Sequence, residues 1–478
     1  MKLNQLKLTN PYLKLPALCY DSVKPTPLKK PYLIHANPQV AKLLDIDRDE
    51  LYTDEFVHFV NGQLHLEGGD SFAMCYAGHQ FGYFVSRLGD GRAINIGTIN
   101  NLQMQLKGAG QTLYSRQGDG RAVIRSSIRE YLMSEAMYGL GIETTRALAI
   151  IGSEHKVIRE DWEKASIVLR VSPSWVRFGT FEYFANKKRY QELEALADYA
   201  IAESYPHLEI EDNRYLLFFT EVMGKTARLM AQWQSVGFNH GVMNTDNMSI
   251  AGLTIDYGPY AFLDDYDINY ICNHTDREGR YSFGNQPIIG EWNLKALMVA
   301  LSPLVKMEEM ERVLKHYGSL YSKHFLYLMG KKIGLDKAQD SDWEIIKHML
   351  GVMQTLNVDY TLFFRTLSHY NGDREDLLKL GLYHQPMNDW LDDYDKRLQL
   401  NSSSNIERQK KMLQTNPKFV LKNYILQEAI EAVYNGDFSI VEKLFQIAQN
   451  PYGEHTEYAR WAGATPNEFK NQKLSCSS

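Results

Sequence analysis

Apolar and polar residues alternate over Arg92–Gly97 and again over Leu102–Leu106, with Asn100 and Asn101 between the two runs. Period-two alternation around a turn-forming pair predicts a β-hairpin within residues 84–107. The period then changes. In residues 122–138, Ile124, Ile128, Leu132 and Ala136 fall on one stripe, the spacing of an amphipathic helix, with Gly139 and Gly141 as stop signals. Residues 145–152 and 166–172 are apolar runs of strand length. Beyond residue 188 helical periodicity dominates, at 190–204, 214–236, 291–301, 307–317, 341–356, 386–399, 421–434 and 438–449. A strand pair is predicted around 248–263. Residues 1–70 mix short helices with turns at Pro25, Pro27, Pro31 and Pro38. The pattern therefore predicts an α+β chain in four parts: an N-terminal extension (1–70), a β-rich lobe (71–185), a helical lobe (186–330) and a C-terminal helical region (331–478).

Composition narrows the class without naming a function. Of 478 residues, 44% are hydrophobic and 23% charged, the balance of a soluble globular protein. The net charge of -6 argues against a nucleic-acid groove. No run approaches the ~18 apolar residues of a membrane span, and the first residues lack the apolar core of a signal peptide. Four cysteines, Cys19, Cys75, Cys272 and Cys476, are too sparse for a disulfide framework. A cytoplasmic protein is the expectation.

The candidate chemistry lies at 240–258. His240-Gly241-Val242-Met243-Asn244-Thr245-Asp246-Asn247 has the outline of a kinase catalytic loop, in which a base follows the His by two positions and a metal-binding Asn by seven. His240 and Asn247 keep that spacing. Asp256, in Thr254-Ile255-Asp256-Tyr257-Gly258, stands where a second metal ligand belongs, and the pair suits Mg²⁺ or Mn²⁺ on phosphate oxygens. The base position holds Val242, which accepts no proton. Asp246 is the one carboxylate within the loop and the candidate base; a solvent-facing turn residue is an equally good reading of the loop's composition.

Upstream residues complete a phosphate site. Lys107 ends a predicted strand, and Glu130 on the following helix is its candidate ion-pair partner; Glu135 is the alternative, less favoured because it lies farther from the loop. Gly89-Asp90-Gly91-Arg92-Ala93 recurs as Gly118-Asp119-Gly120-Arg121-Ala122. Two Gly-Asp-Gly turns, each followed by an arginine, offer free N–H groups and guanidinium donors to a phosphate chain. Arg170 and Arg177 are individually the residues of structural ion pairs, but with the two turns they indicate an arginine-rich phosphate pocket.

The stretches YAGHQFGYFVSRLGDGRA (76–93), QLKGAGQTLYSRQGDGRAVIRSSIREYLMSEAM (105–137), LRVSPSWVRFGTFE (169–182) and HGVMNTDNMSIAGLTIDYGPYAFLDDYD (240–267) closely resemble the selenoprotein O, or YdiU, family of protein adenylyltransferases. The resemblance implies a protein-kinase-like two-lobed fold with N- and C-terminal additions and a nucleotide bound in flipped orientation. It implies transfer of AMP from ATP, or UMP from UTP with Mn²⁺, to Ser, Thr or Tyr hydroxyls of proteins and of the enzyme itself. It assigns Lys107 and Glu130 as the ion pair, and Gly89, Gly91, Arg92, Lys107, Asp119, Gly120, Arg170, Arg177 and Asp256 as nucleotide contacts. Asn247 and Asp256 become the metal ligands and Asp246 the proton acceptor. Family members with selenocysteine near the carboxyl end suggest a redox role for Cys476, with a Cys272–Cys476 disulfide as the hypothesis. An ordinary phosphotransferase and an inactive nucleotide-binding scaffold are the rival readings.

Overall fold

The computed structural model describes residues 1–470 and 473–475. Its main sheet has eight antiparallel strands: β1 (Tyr20–Ser22), β2 (Pro31–Ala36), β3 (Phe72–Met74), and, after a separate two-stranded sheet of β4 (Gly78–Gln80) and β5 (Tyr83–Val85), β6 (Ala93–Ile99), β7 (Leu102–Lys107), β8 (Ala122–Val123), β9 (Arg146–Ile158) and β10 (Trp162–Ser172). Seven run in the order β1-β3-β6-β7-β10-β9-β2, and β8 pairs with β10. The expected hairpin is β6–β7, which turns through Asn100 and Asn101, both at positive φ. The strands foreseen at 145–152 and 166–172 are the inner parts of a longer hairpin, β9–β10.

Side-chain alternation gives this sheet two unlike faces. Ile94, Leu106 and Leu169 are wholly buried against Val40, Phe56 and Phe59 of the N-terminal segment. Each such side chain contributes about 1.5–3 kcal/mol of burial. On the opposite face Asn95, Gln105 and Arg170 are successive cross-strand partners, and Lys107 follows Gln105 by two. Polar side chains thus occupy the face that looks toward the rest of the molecule.

The helix Ile124–Gly139 crosses that face, and the helix Ser439–Gln449 packs on its outer side. The helices Tyr190–Ser204 and Arg214–Val236 match the expected bounds, the second ending at Gly237 in the left-handed region that glycine favours. Most later helices fall within a few residues of their expected positions, while Tyr317–Lys332, Tyr360–Leu367 and Asn405–Leu413 were not foreseen. Nor was Phe178–Asn186, whose Phe178, Phe181 and Phe184 suit a strand by propensity but are buried at helical spacing. Residues 248–263 do not form the predicted strand pair. Gly252, Asp256 at φ +55 and Pro259 interrupt it, and only β12 (Ala261–Phe262) remains, paired with β11 (Phe238–Asn239). No described helix is long and apolar enough to cross a membrane.

Candidate active site

A cleft of about 800 Å³ lies between the polar face of the sheet and the 240–258 loops. Its centre is a buried charge network. Lys107 Nζ lies 2.6 Å from Glu130 Oε2 and 3.3 Å from Asp256 Oδ1. Arg170 reaches Glu130 Oε1 at 2.8 Å and Asp256 Oδ1 at 2.5 Å, and also holds Gln105 Oε1. Arg177 binds the other Asp256 oxygen and donates to the Asp246 carbonyl at 2.7 Å. Three cations therefore converge on Asp256. Burial alone would raise its pKa, but Arg177, Lys107 and Arg170 hold it well below the usual carboxylate range. Glu130 is lowered for the same reason, against its burial. Glu135, the other candidate, faces away and pairs with Arg146 at 2.6 Å.

The 240–247 loop is held from behind. Burial keeps the His240 imidazole below its usual pKa; its Nε2 lies 3.0 Å from the Ile255 carbonyl and its ring stacks on Trp233. It is a strut linking the loop to the segment that carries Asp256. Asn247 donates its side-chain nitrogen to the Val242 carbonyl at 3.0 Å, so its amide oxygen is the end left for a ligand.

Asp246 is buried, not solvent-facing, with 8% of its surface exposed. Gly78 and Gly179 press on it: a Cβ at Gly78 would stand 2.9 Å from Oδ1, and one at Gly179 would stand 3.3 Å from its Cα. Gln80 donates to Oδ2 at 3.3 Å, whereas Oδ1 has no hydrogen-bond partner among the described residues. Burial pushes the carboxyl up to about 6, against the lowering effect of Arg177 and Gln80. A desolvated carboxyl on a residue that lines the cleft is suited to taking a proton near neutral pH.

The two Gly-Asp-Gly turns line the cleft but serve differently. Gly89, at φ +109, lies so close to Tyr114 that a Cβ would meet the ring at 2.3 Å. Arg92 after it is exposed in the cleft and has no ion pair with a described residue. Arg121, after the second turn, donates to the Thr26 and Gly108 carbonyls at 2.6 and 3.3 Å, so it braces backbone. Asp119 pairs with Arg159 at 2.9 Å at the outer end of the cleft. Gly91 and Gly120 also line the wall.

Several wall residues were not singled out from the sequence. Asp90 accepts from Met74 N–H at 3.0 Å and lies 4.0 Å from Arg177. Tyr76 lies under the Arg177 guanidinium, as Trp175 lies under that of Arg170. Arg116 stands exposed in the cleft at positive φ. Asp90 sits inside the repeated pentapeptide, and Tyr76 opens the 76–93 motif; those were the available signals. Cys272 lies behind the loop, with Sγ 2.8 Å from the Pro259 carbonyl. Leu474 N–H donates to the Cys272 carbonyl at 2.9 Å, which docks residues 473–475 beside it. Cys476 lies outside the described residues.

A cleft lined by ionised arginines, a strand lysine paired with a helix glutamate, and loop carboxylates is the site of a nucleotide-using transferase. The chain belongs to the SelO family of protein adenylyltransferases, whose family model, "Protein adenylyltransferase SelO", matches residues 2–449. It is 45% identical over 485 residues to the protein nucleotidyltransferase YdiU of Myxococcus xanthus, an alignment that covers 100% of this chain and 99% of that protein. It is 44% identical to the YdiU proteins of Herminiimonas arsenicoxydans, over 100% of this chain and 98% of the relative, and of Thioalkalivibrio sulfidiphilus, over the whole of both.

Proposed function

We propose that this protein transfers AMP from ATP to Ser, Thr or Tyr hydroxyls of proteins, itself included, with release of pyrophosphate. The observation that carries the chemistry is the position of Asp246: buried at the cleft wall, one oxygen unpartnered, in a loop whose kinase-base position is Val242. The acceptor hydroxyl gives its proton to the Asp246 carboxylate. Its oxygen forms the new bond to the α-phosphorus. The bond from that phosphorus to the oxygen bridging the β-phosphorus breaks, and pyrophosphate leaves with the electron pair. Arg92 and Arg116, without ion pairs to described residues, are placed to neutralise phosphate charge.

Lys107 and Glu130 act as an orienting pair, with Gly89, Gly91, Asp119, Gly120, Arg170 and Arg177 as the remaining nucleotide contacts. Asn247 and Asp256 would hold Mg²⁺ or Mn²⁺. Hard oxygen donors suit such an ion: the Asn247 amide oxygen is the end of that side chain turned away from its own loop, and the Asp256 oxygens, held here by Lys107, Arg170 and Arg177, would be shared with it. Bound there, the ion would neutralise charge on phosphate oxygens. The polar sheet face and the helical half that carries the loop correspond, in this reading, to the two lobes of a kinase-like fold. Buried thiols at Cys19 and Cys75 suit a cytoplasmic setting.

Incubation with ATP labelled at the α- or the γ-phosphate is the test. Label reaching protein from the α position only is expected. Transfer from γ alone would make the protein a phosphotransferase, and transfer from neither, with ATP or UTP and either metal, a scaffold.

A further inference from the structure

Beside the cleft stands a small structure of which the chemistry above uses only Gly78 and Gln80. β4 and β5 form a two-stranded sheet, with His79 opposite Phe84 and Gln80 opposite Tyr83. Its turn, Phe81-Gly82, has both residues at positive φ. The hairpin is tied to the loop that carries Asp246. His79 N–H donates to Thr245 Oγ1 at 2.7 Å, Gln80 reaches Asp246 Oδ2, and Phe81 N–H is 3.2 Å from Asn244 Oδ1 and 2.9 Å from Tyr281 Oη. Gln80 and Phe81 line the cleft together with Asp246. The first strand and the turn of the hairpin are therefore part of the reaction site.

Its second strand, β5, faces solvent. Tyr83 is 80% exposed and Phe84 36%. Large exposed aromatics on a short, well-anchored hairpin have no role in a core and match the anchors of protein interfaces. Among the described residues, no strand pairs with the outer edge of β5. Next to the turn, the Arg280 guanidinium lies against Gly82 and over the Trp292 ring at 4.5 Å. It makes no ion pair with a described residue, and its Nε has no hydrogen-bond partner among them. Three carboxylates of the surrounding elements have partners of their own, while Glu278, two residues before Arg280, is exposed and makes no ion pair with a described residue. Asp276 accepts from the N–H groups of Arg280 and Tyr281 at 3.0 and 2.7 Å, Glu291 pairs with Lys295 at 2.8 Å, and Glu182 pairs with His79 at 2.6 Å.

We propose that the 78–85 hairpin and Arg280 form the docking surface for the acceptor protein. They would take an extended segment that carries an apolar side chain for Tyr83 and Phe84 and an acidic side chain for Arg280. The proposal rests on the AMP-transfer activity proposed above. A hydroxyl that reaches Asp246 brings its flanking chain across the elements that frame Asp246. The hairpin is tied to that loop through its first strand, exposes aromatics on its second and stands beside a cation that makes no ion pair with a described residue. An acidic partner segment completes both the charge and the open strand edge.

The test uses α-labelled ATP and synthetic peptides that share one acceptor hydroxyl, with Glu or Lys scanned through the flanking positions and with or without a flanking Leu. The wild-type protein is expected to favour Glu at one or more positions. Arg280→Glu should lower kcat/KM for the Glu peptides about tenfold and raise it for the Lys peptides, with calorimetric ATP affinity unchanged. Tyr83→Ser, at a solvent-facing position that the fold does not need, should remove the advantage of the Leu peptides without changing thermal stability. AMP transfer indifferent to flanking charge, or unaltered by both substitutions, would overturn the docking surface and leave the activity standing. Self-modification without transfer to any peptide would equally overturn it. No AMP transfer to peptides or to the protein itself would instead remove the activity, and the docking surface with it.

Discussion

Replacing Asp246 by asparagine exchanges one oxygen for one nitrogen and removes the proton acceptor without changing the loop's volume. Two effects of opposite sign are expected. Activity should fall, because a positioned base contributes roughly 10²–10⁴ in rate. Stability should rise at alkaline pH. Burial lifts the Asp246 pKa from 3.8 to about 6, and a shift of that size corresponds to about 3 kcal/mol as an upper bound. Below the unfolded-state pKa both folded and unfolded chains carry the proton, and the group costs nothing. Between 3.8 and about 6 the unfolded chain ionises first, so the folded state loses stability as pH rises, and above that range the loss is complete. Asparagine has no such dependence. In urea unfolding with a metal chelator present, Asp246→Asn should therefore be more stable than wild type at pH 8, and the gap should shrink as pH falls toward 5. With α-labelled ATP its kcat should be down by at least about 100-fold with ATP affinity little changed, and wild-type kcat should rise as pH passes through about 6. A variant less stable than wild type at pH 8, or one that keeps most of its turnover, would refute the assignment: the carboxylate would then be a structural anion rather than a strained base.

Glu130→Gln leaves Lys107 and Arg170 short of a buried anion. It should destabilise the protein by about 3–5 kcal/mol in urea unfolding and weaken ATP binding. Gly89→Ala forces a Cβ toward Tyr114 at a backbone angle of +109°; about 1–3 kcal/mol of stability and much of the ATP affinity should be lost, read by thermal shift with and without nucleotide. Oxidised wild-type protein should run faster than Cys476→Ser on a non-reducing gel if the tail is tied to Cys272, beside which Leu474 docks; equal mobility would count against the disulfide.

Elements with a strong local period were legible from the sequence. The β6–β7 hairpin carries its own turn residues, and the helix Arg214–Val236 carries both an apolar stripe and its terminal glycine. The helix Phe178–Asn186 was not legible, because its aromatic residues favour strands locally and only packing at helical spacing decides otherwise. The strand pair expected at 248–263 failed for the opposite reason. Its apolar residues have strand propensity, but the segment bends at Gly252, Asp256 and Pro259 and so turns the Asp256 carboxylate toward Arg170 and Arg177.

The sequence by itself determined which groups the candidate site contains. The spacing of His240, Val242, Asp246 and Asn247, the lysine at a strand end and the paired Gly-Asp-Gly turns are covalent facts, and so is the absence of a carboxylate at position 242. Only the tertiary structure decided what state those groups are in. Asp246 meets Gly78, Gln80, Arg177 and Gly179 from segments far away in the chain, and their closeness strips water from its carboxyl. Asp256 is half-buried, yet it is held ionised because three cations reach it. Arg92 and Arg121 follow identical pentapeptide turns, but one faces the cleft and the other binds backbone carbonyls. Desolvation and charge pairing act through space, and a motif read along the chain specifies the residue but not its surroundings.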